Sequence, residues 1–233
     1  MSQTTIAITY ILTFEDEKSE TFEFCFDATD MRLHLDTPDQ PPSWTRLDFH
    51  QCPNCSLHLE TCQHCPPAVS LSAIVNQIGD MPSYEGVEMR VITQEREIRQ
   101  KTTIQNVLSS MLGLIMASSD CPIASYFRPM ARFHLPLANL DETIFRATST
   151  YLLAQYFRAQ KDLPFDASLG GLVTIYKDMQ TVNSTFAERL RQSGEVSETN
   201  AIAQLDINAQ TLPVVISDNV DDLYELFSAY LTK

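Results

Sequence analysis

The feature that most constrains this chain is a change of period near residue 103. Before it, apolar side chains recur at every second residue: Ile6, Ile8, Tyr10, Leu12 and Phe14; Phe22, Phe24 and Phe26; Met31, Leu33 and Leu35; Val87, Met89 and Val91. A period of two belongs to strands with one buried and one wet face. The charged run Glu15-Asp16-Glu17-Lys18 predicts a hairpin turn, and a fifth, more polar strand returns through Ile98 after a turn near 93–95. Beyond residue 103 the spacing becomes helical. Ile104, Val107, Leu108, Met111, Leu112 and Ile115 outline a strongly apolar helix. Asn139, three residues before Glu142, makes a capping-box start for a helix carrying Ile144, Phe145, Tyr151, Leu152 and Tyr156. Ser168 opens a helix with Leu172, Ile175, Tyr176, Met179, Phe186 and Leu190 on one stripe, closed by Arg189 and Arg191 in its last turn and by Gly194. A short helix over 200–209, an extended piece at 213–216 and a last helix capped by Ser217 complete the chain. Strands first and helices second read as α+β. The expectation is an antiparallel sheet of about five strands in 1–101 and a mainly helical half in 102–233. No linker-like stretch divides them, so 1–233 reads as a single domain.

Between the third strand and a helix over 68–78 lies a cysteine loop at 50–67. Four of the six cysteines fall in it, at Cys52, Cys55, Cys62 and Cys65. The spacing C-x2-C-x6-C-x2-C suits one tetrahedral ion held by four thiolates. Six intervening residues reach easily across such a site. His50, His58 and His64 stand in or beside the loop, so three thiolates and an imidazole form a variant ligand set. Structural zinc is the expected cofactor, and an iron–sulfur cluster, which also wants four thiolates, is the alternative. A closed four-thiolate site has no open position for a substrate, so the metal folds the loop instead of doing chemistry. Trp44, the only tryptophan, and Phe49 are expected to pack the loop against the sheet.

A second candidate is the loop at 118–134, where Cys121 and His134 could act as a reactive thiol and imidazole. Its cysteine follows the C-terminal end of a helix, where the dipole disfavours a thiolate. The bland reading, a small buried cysteine and a hydrogen-bonded structural histidine, is the stronger one. The sequence has no P-loop, no G-x-G-x-x-G and no H-E-x-x-H, so nucleotide binding and zinc proteolysis lack support.

The net charge of −14 argues against binding a phosphate backbone, although Arg90, Arg96, Arg99 and Lys101 cluster locally. The longest uncharged stretch, 102–119, holds Gln105 and Asn106, and its apolar run covers only 111–117. That is too short to cross a bilayer. With no secretory signal in view, a cytoplasmic protein is expected, in a reducing compartment where paired cysteines bind metal.

The segments Trp44-Thr-Arg-Leu-Asp-Phe-His-Gln-Cys-Pro-Asn-Cys55, Ala131-Arg-Phe-His-Leu-Pro136 and Tyr151-Leu-Leu-Ala-Gln-Tyr-Phe-Arg158 resemble an uncharacterised bacterial family, a domain of unknown function, from about residue 5 to the C-terminus. The resemblance implies a bacterial, cytosolic protein and carries over no catalytic residue. The functional expectation is therefore a zinc-stabilised binding or regulatory protein acting through contacts with a protein partner or in a homodimer. The alternatives are an enzyme using the 118–134 loop and an iron–sulfur redox protein.

Overall fold

The computed structural model describes residues 4–34, 40–78, 84–193 and 220–231. The alternation of the first hundred residues yields β1 (Thr5–Thr13), β2 (Ser19–Asp27), β3 (Leu33–His34), β4 (Gly86–Ile92) and β5 (Glu97–Thr103). They form one antiparallel sheet in the order β3-β2-β1-β4-β5. The register sets Tyr10 beside both Phe22 and Val91, and Leu12 beside Met89. Because the side-chain period is two, this alignment gathers Ile8, Tyr10, Leu12, Phe22, Phe24, Phe26, Val87, Met89 and Val91 on one face, all buried. The third strand is shorter than its pattern predicts. Met31 sits at φ 60°, in a turn where the Asp27 carboxylate accepts from the N–H groups of Thr29 and Asp30. The side chain is still buried, but the turn and not the strand delivers it. Leu35 lies outside the described residues.

The helices are α1 (Pro66–Ile78), α2 (Ile104–Ser118), α3 (Arg128–Arg132), α4 (Leu140–Ala159), α5 (Gly170–Ser193) and α6 (Ser228–Leu231). The fold is thus α+β, with helices mostly in the C-terminal half. Two prolines open α1, where the missing N–H would have had no partner. The capping box of α4 forms as expected: Glu142 N–H donates to Asn139 Oδ1 at 2.9 Å, and Asn139 N–H to Glu142 Oε2 at 2.8 Å. The connection between α2 and α4 holds a 3-10 turn (Ala124–Phe127) and the short α3. The expected helix at 200–209, the extended piece at 213–216, the Gly194 stop and the Ser217 cap lie outside the described residues.

The core forms where the apolar face of the sheet meets α2, whose side chains are buried nearly all round its circumference. The same cluster takes in Ala68, Leu71 and Ile74 of α1, Trp44, and Met179, Val182, Phe186 and Leu190 of α5. A smaller cluster joins Ile144, Ala147 and Tyr151 of α4 to Leu172 and Tyr176 of α5. The sequence stripe assigned to α4 differs from the buried one. Residues 144, 147, 148 and 151 face inward at i, i+3, i+4 and i+7, whereas Phe145, Leu152 and Tyr156 are 46%, 43% and 56% exposed. Among the described residues no helix is long and apolar enough to cross a membrane.

Candidate functional site

The cysteine loop is closed by backbone. Leu47 N–H donates to Gln63 O at 2.9 Å and Cys65 N–H to Thr45 O at 2.8 Å, flanking a bridge between Arg46 and His64. Thr45, fully buried, donates its hydroxyl to Pro42 O and so accepts from His64 Nδ1 at 2.8 Å, which occupies that nitrogen. Inside the loop, Cys55 N–H bonds Cys52 O at 3.0 Å, the tight turn that a C-x2-C pair requires.

Two residues of α5, Asp178 and Arg189, secure the loop. Asn54, between the first two cysteines, donates to Asp178 O at 3.1 Å. Arg189, only 1% exposed, donates Nη1 to Trp44 O and Arg46 O, both at 2.7 Å, and Nη2 to Leu47 O and His50 O at 3.3 and 3.2 Å. Its guanidinium also lies 5.9 Å from the centre of the Phe49 ring. No carboxylate stands within ion-pair distance of it among the described residues. The sequence places Arg189 with Arg191 in the last turn, serving the helix dipole, whereas in the structure only Arg191 lies in that turn and Arg189 is buried. The missed signal is its phase, three residues after Phe186 and seven after Val182, on the buried stripe.

Of the four loop cysteines, Cys52, Cys55 and Cys65 line a narrow apolar cleft of about 20 Å³, and Cys121 lines it with them. Cys62 points its thiol to His64 O at 3.1 Å. Burial pushes the Cys52 thiol up to about 12 and the Cys65 thiol up to about 11, and raises Cys121 as well. As these side chains stand, no three Cys, His, Asp or Glu groups among the described residues are disposed to hold an ion.

His134 is elsewhere. It borders a cavity of about 550 Å³ between α2, the 124–132 segment, α4 and α5. Its Nε2 is hydrogen-bonded to the Tyr10 hydroxyl, which also bonds Ser110 Oγ at 2.9 Å. Burial holds the imidazole down at about 3 and the Tyr10 phenol above its usual range, so neutral His134 accepts and Tyr10 donates. Cys121 and His134 therefore line separate spaces, and neither is charged near neutrality. The same cavity is bordered by Arg146, whose Nη2 donates to Met130 O at 2.7 Å and Phe133 O at 3.2 Å. Burial draws this guanidinium below its usual range. Asn183, 2% exposed, also lines the cavity, and its Oδ1 has no hydrogen-bond partner among the described residues. A buried amide oxygen left unpaired is the kind of group a ligand satisfies.

A sequence model of one family, described as a domain of unknown function (DUF6901), matches residues 8–228. Neither a curated protein nor a solved structure matches the chain.

Proposed function

Because the chain belongs to DUF6901, a family without an assigned activity, we propose from its own geometry that it is a zinc-stabilised binding protein working through protein contacts. The observation that carries this reading is the outer face of α4. Phe145, Leu152, Leu153, Tyr156 and Phe157 are between 43% and 56% exposed there, with Leu163 and Phe165 just beyond the helix at 46% and 62%. An apolar patch of this kind marks a contact surface. Its occupant is a second copy of the chain. Residues 145, 149, 152 and 156 form one stripe, with small Ser149 at the middle of the helix allowing close approach. Asp141 and Glu142 lie in the first turn and Arg158 in the last. An antiparallel pair of α4 helices about a two-fold axis would set the acidic end of each against the basic end of the other.

The zinc component rests on the cysteine spacing and on the thiols gathered under α5. The metal would hold the loop in place and take no part in chemistry. All six cysteines are unpaired, which suits a reducing compartment such as the cytoplasm. Sedimentation equilibrium tests the contact face: the protein should run as a dimer, and Leu153→Glu with Tyr156→Glu should give a folded monomer. A native protein that stays monomeric at high concentration refutes the assignment. Metal analysis tests the other half, with about one zinc per chain expected and stoichiometric iron favouring a cluster instead.

A second reading is favoured by the unpaired Asn183 Oδ1. The cavity beside it takes a small molecule with a hydrogen-bond donor for Asn183 and an acceptor for Arg146. Thr143 and Arg146 line that cavity from α4, the helix whose outer face carries the apolar stripe, so an occupant could regulate the contact.

A further inference from the structure

We propose that the metal site of this protein is built from Cys52, Cys55, Cys65 and Cys121, with Cys62 left outside it. The inference rests on the zinc reading above and changes its ligand set. Its first support is placement. The four sulfurs border one apolar cleft, whose volume of about 20 Å³ admits a single occupant of about the size of a water molecule. Cys52, Cys65 and Cys121 are packed against the main core, so a metal among them would link the loop to the α2–α3 connection. Each thiol acts electrostatically on others of the set: Cys65, Cys121 and Cys55 on Cys52, and Cys121 and Cys55 on Cys65. Cys62 borders no part of the cleft, and its thiol is used on His64 O.

The second support is the donors around the sulfurs. The Ala68 N–H in the first turn of α1 acts on the Cys65 thiol, and the N–H groups of Ile123 and Ala124 act on the Cys121 thiol, each in the direction that favours the thiolate. Backbone N–H groups directed at sulfur stabilise thiolate, the form a metal binds. The third support is charge. Arg189 is a buried cation with no carboxylate partner among the described residues, and the ionisable groups that act on it most are Cys65, Cys52 and Cys55, followed by Asp48. A zinc ion with four thiolates carries two net negative charges and would supply the counter-charge that Arg189 lacks. Binding requires the thiols to turn toward one another from their present positions, in which no three such groups among the described residues are disposed to hold an ion. On binding, four thiols release four protons to water, and no oxidant or reductant is needed.

The test uses the intact chain loaded with Zn²⁺ or Co²⁺ alone. Native protein is alkylated with and without metal, and the rate at each cysteine is read by mass spectrometry. Loading should slow Cys121 together with Cys52, Cys55 and Cys65, and leave Cys62 unchanged. Protection of Cys62 with an unchanged Cys121 overturns this ligand set while keeping the zinc reading; absence of any metal uptake overturns the zinc reading itself. Cobalt titration of variants gives an independent measure. Cys62→Ser should keep the four-thiolate charge-transfer band and the wild-type affinity. Cys121→Ser should weaken binding by more than about 100-fold, beyond the usual effect of losing an outer-shell partner.

Discussion

Two arginines on neighbouring helices meet the same difficulty in different surroundings. Arg189 and Arg146 both have guanidinium groups drawn below their usual range by burial, and both donate to backbone carbonyls instead of carboxylates. Arg189 spreads two nitrogens over four carbonyls of residues 44–50, is covered by Phe49, and has thiols for neighbours. Arg146 commits only Nη2, to two carbonyls, and stands at the wall of a cavity. A cation whose donors are taken up by main chain is a strut. A cation with donors left over, beside an unpaired amide and a neutral imidazole, is placed to meet a small molecule on the second reading above. On the proposals above, the α5 end of the molecule would be the stiff end and the α4 end the one that would receive a ligand.

Metal removal should separate the two ends most sharply. Chelation is expected to lower Tm by about 15 °C, the counterpart of roughly 5 kcal/mol in a chain of this size. Hydrogen exchange should rise at 43–66 and stay unchanged around His134; equal loosening at both would abolish the distinction. Next comes Arg189→Met, which leaves four carbonyls without their donor and should destabilise by roughly 4 kcal/mol in urea titration. Arg146→Met should take roughly 2 kcal/mol, and comparable losses for the two would mean that Arg146 is equally a strut.

Acid tests the cavity alone. The folded-state value for His134 is depressed to about 3, below the unfolded value near 6.5. Its contribution is therefore fully present above pH 6.5 and lost as pH falls from there toward 3. The ring borders a cavity that can admit water, so the loss should be roughly 2 kcal/mol rather than the full value for sealed burial. His134→Gln should flatten the pH dependence of the urea midpoint over that window, and an unaltered slope would assign the acid sensitivity to another group. The smallest effect is a control. Asp48 pairs with Arg46 at 3.0 Å at the exposed rim of the loop, and Asp48→Asn should leave the urea midpoint unchanged within error.

The strands, the hairpin, the α4 capping box and the change from sheet to helix were legible in the sequence because each is written in local spacing. Register followed from alternation, since a slip of one residue would turn Tyr10 and Leu12 to water. What spacing could not show was convergence. Cys62 fits the C-x2-C pattern and Cys121 does not, yet the fold carries residue 121 to the cleft and aims Cys62 at its own loop. The α4 stripe was misjudged for a related reason. Phe145, Leu152 and Tyr156 are as periodic as Ile144, Ala147 and Tyr151, and helical period alone does not say which of two apolar stripes faces inward. Arg146 carries no signal in the sequence, and Arg189 reads as a helix-end cation, because an arginine in a helix normally sits on solvated surface.

One edge of the sheet bears on how copies of this protein can meet. Along β5, Glu97, Arg99 and Lys101 project to solvent, and Glu97 is gripped by Arg99 and by Arg90 of β4 at 3.1 Å. Strand-to-strand stacking against this border would press fixed charges of both signs onto an incoming chain, which is how natural sheets avoid growing into fibrils. Edge-to-edge growth through β5 is thereby disfavoured, which leaves the helical face proposed above as the side on which two copies would meet.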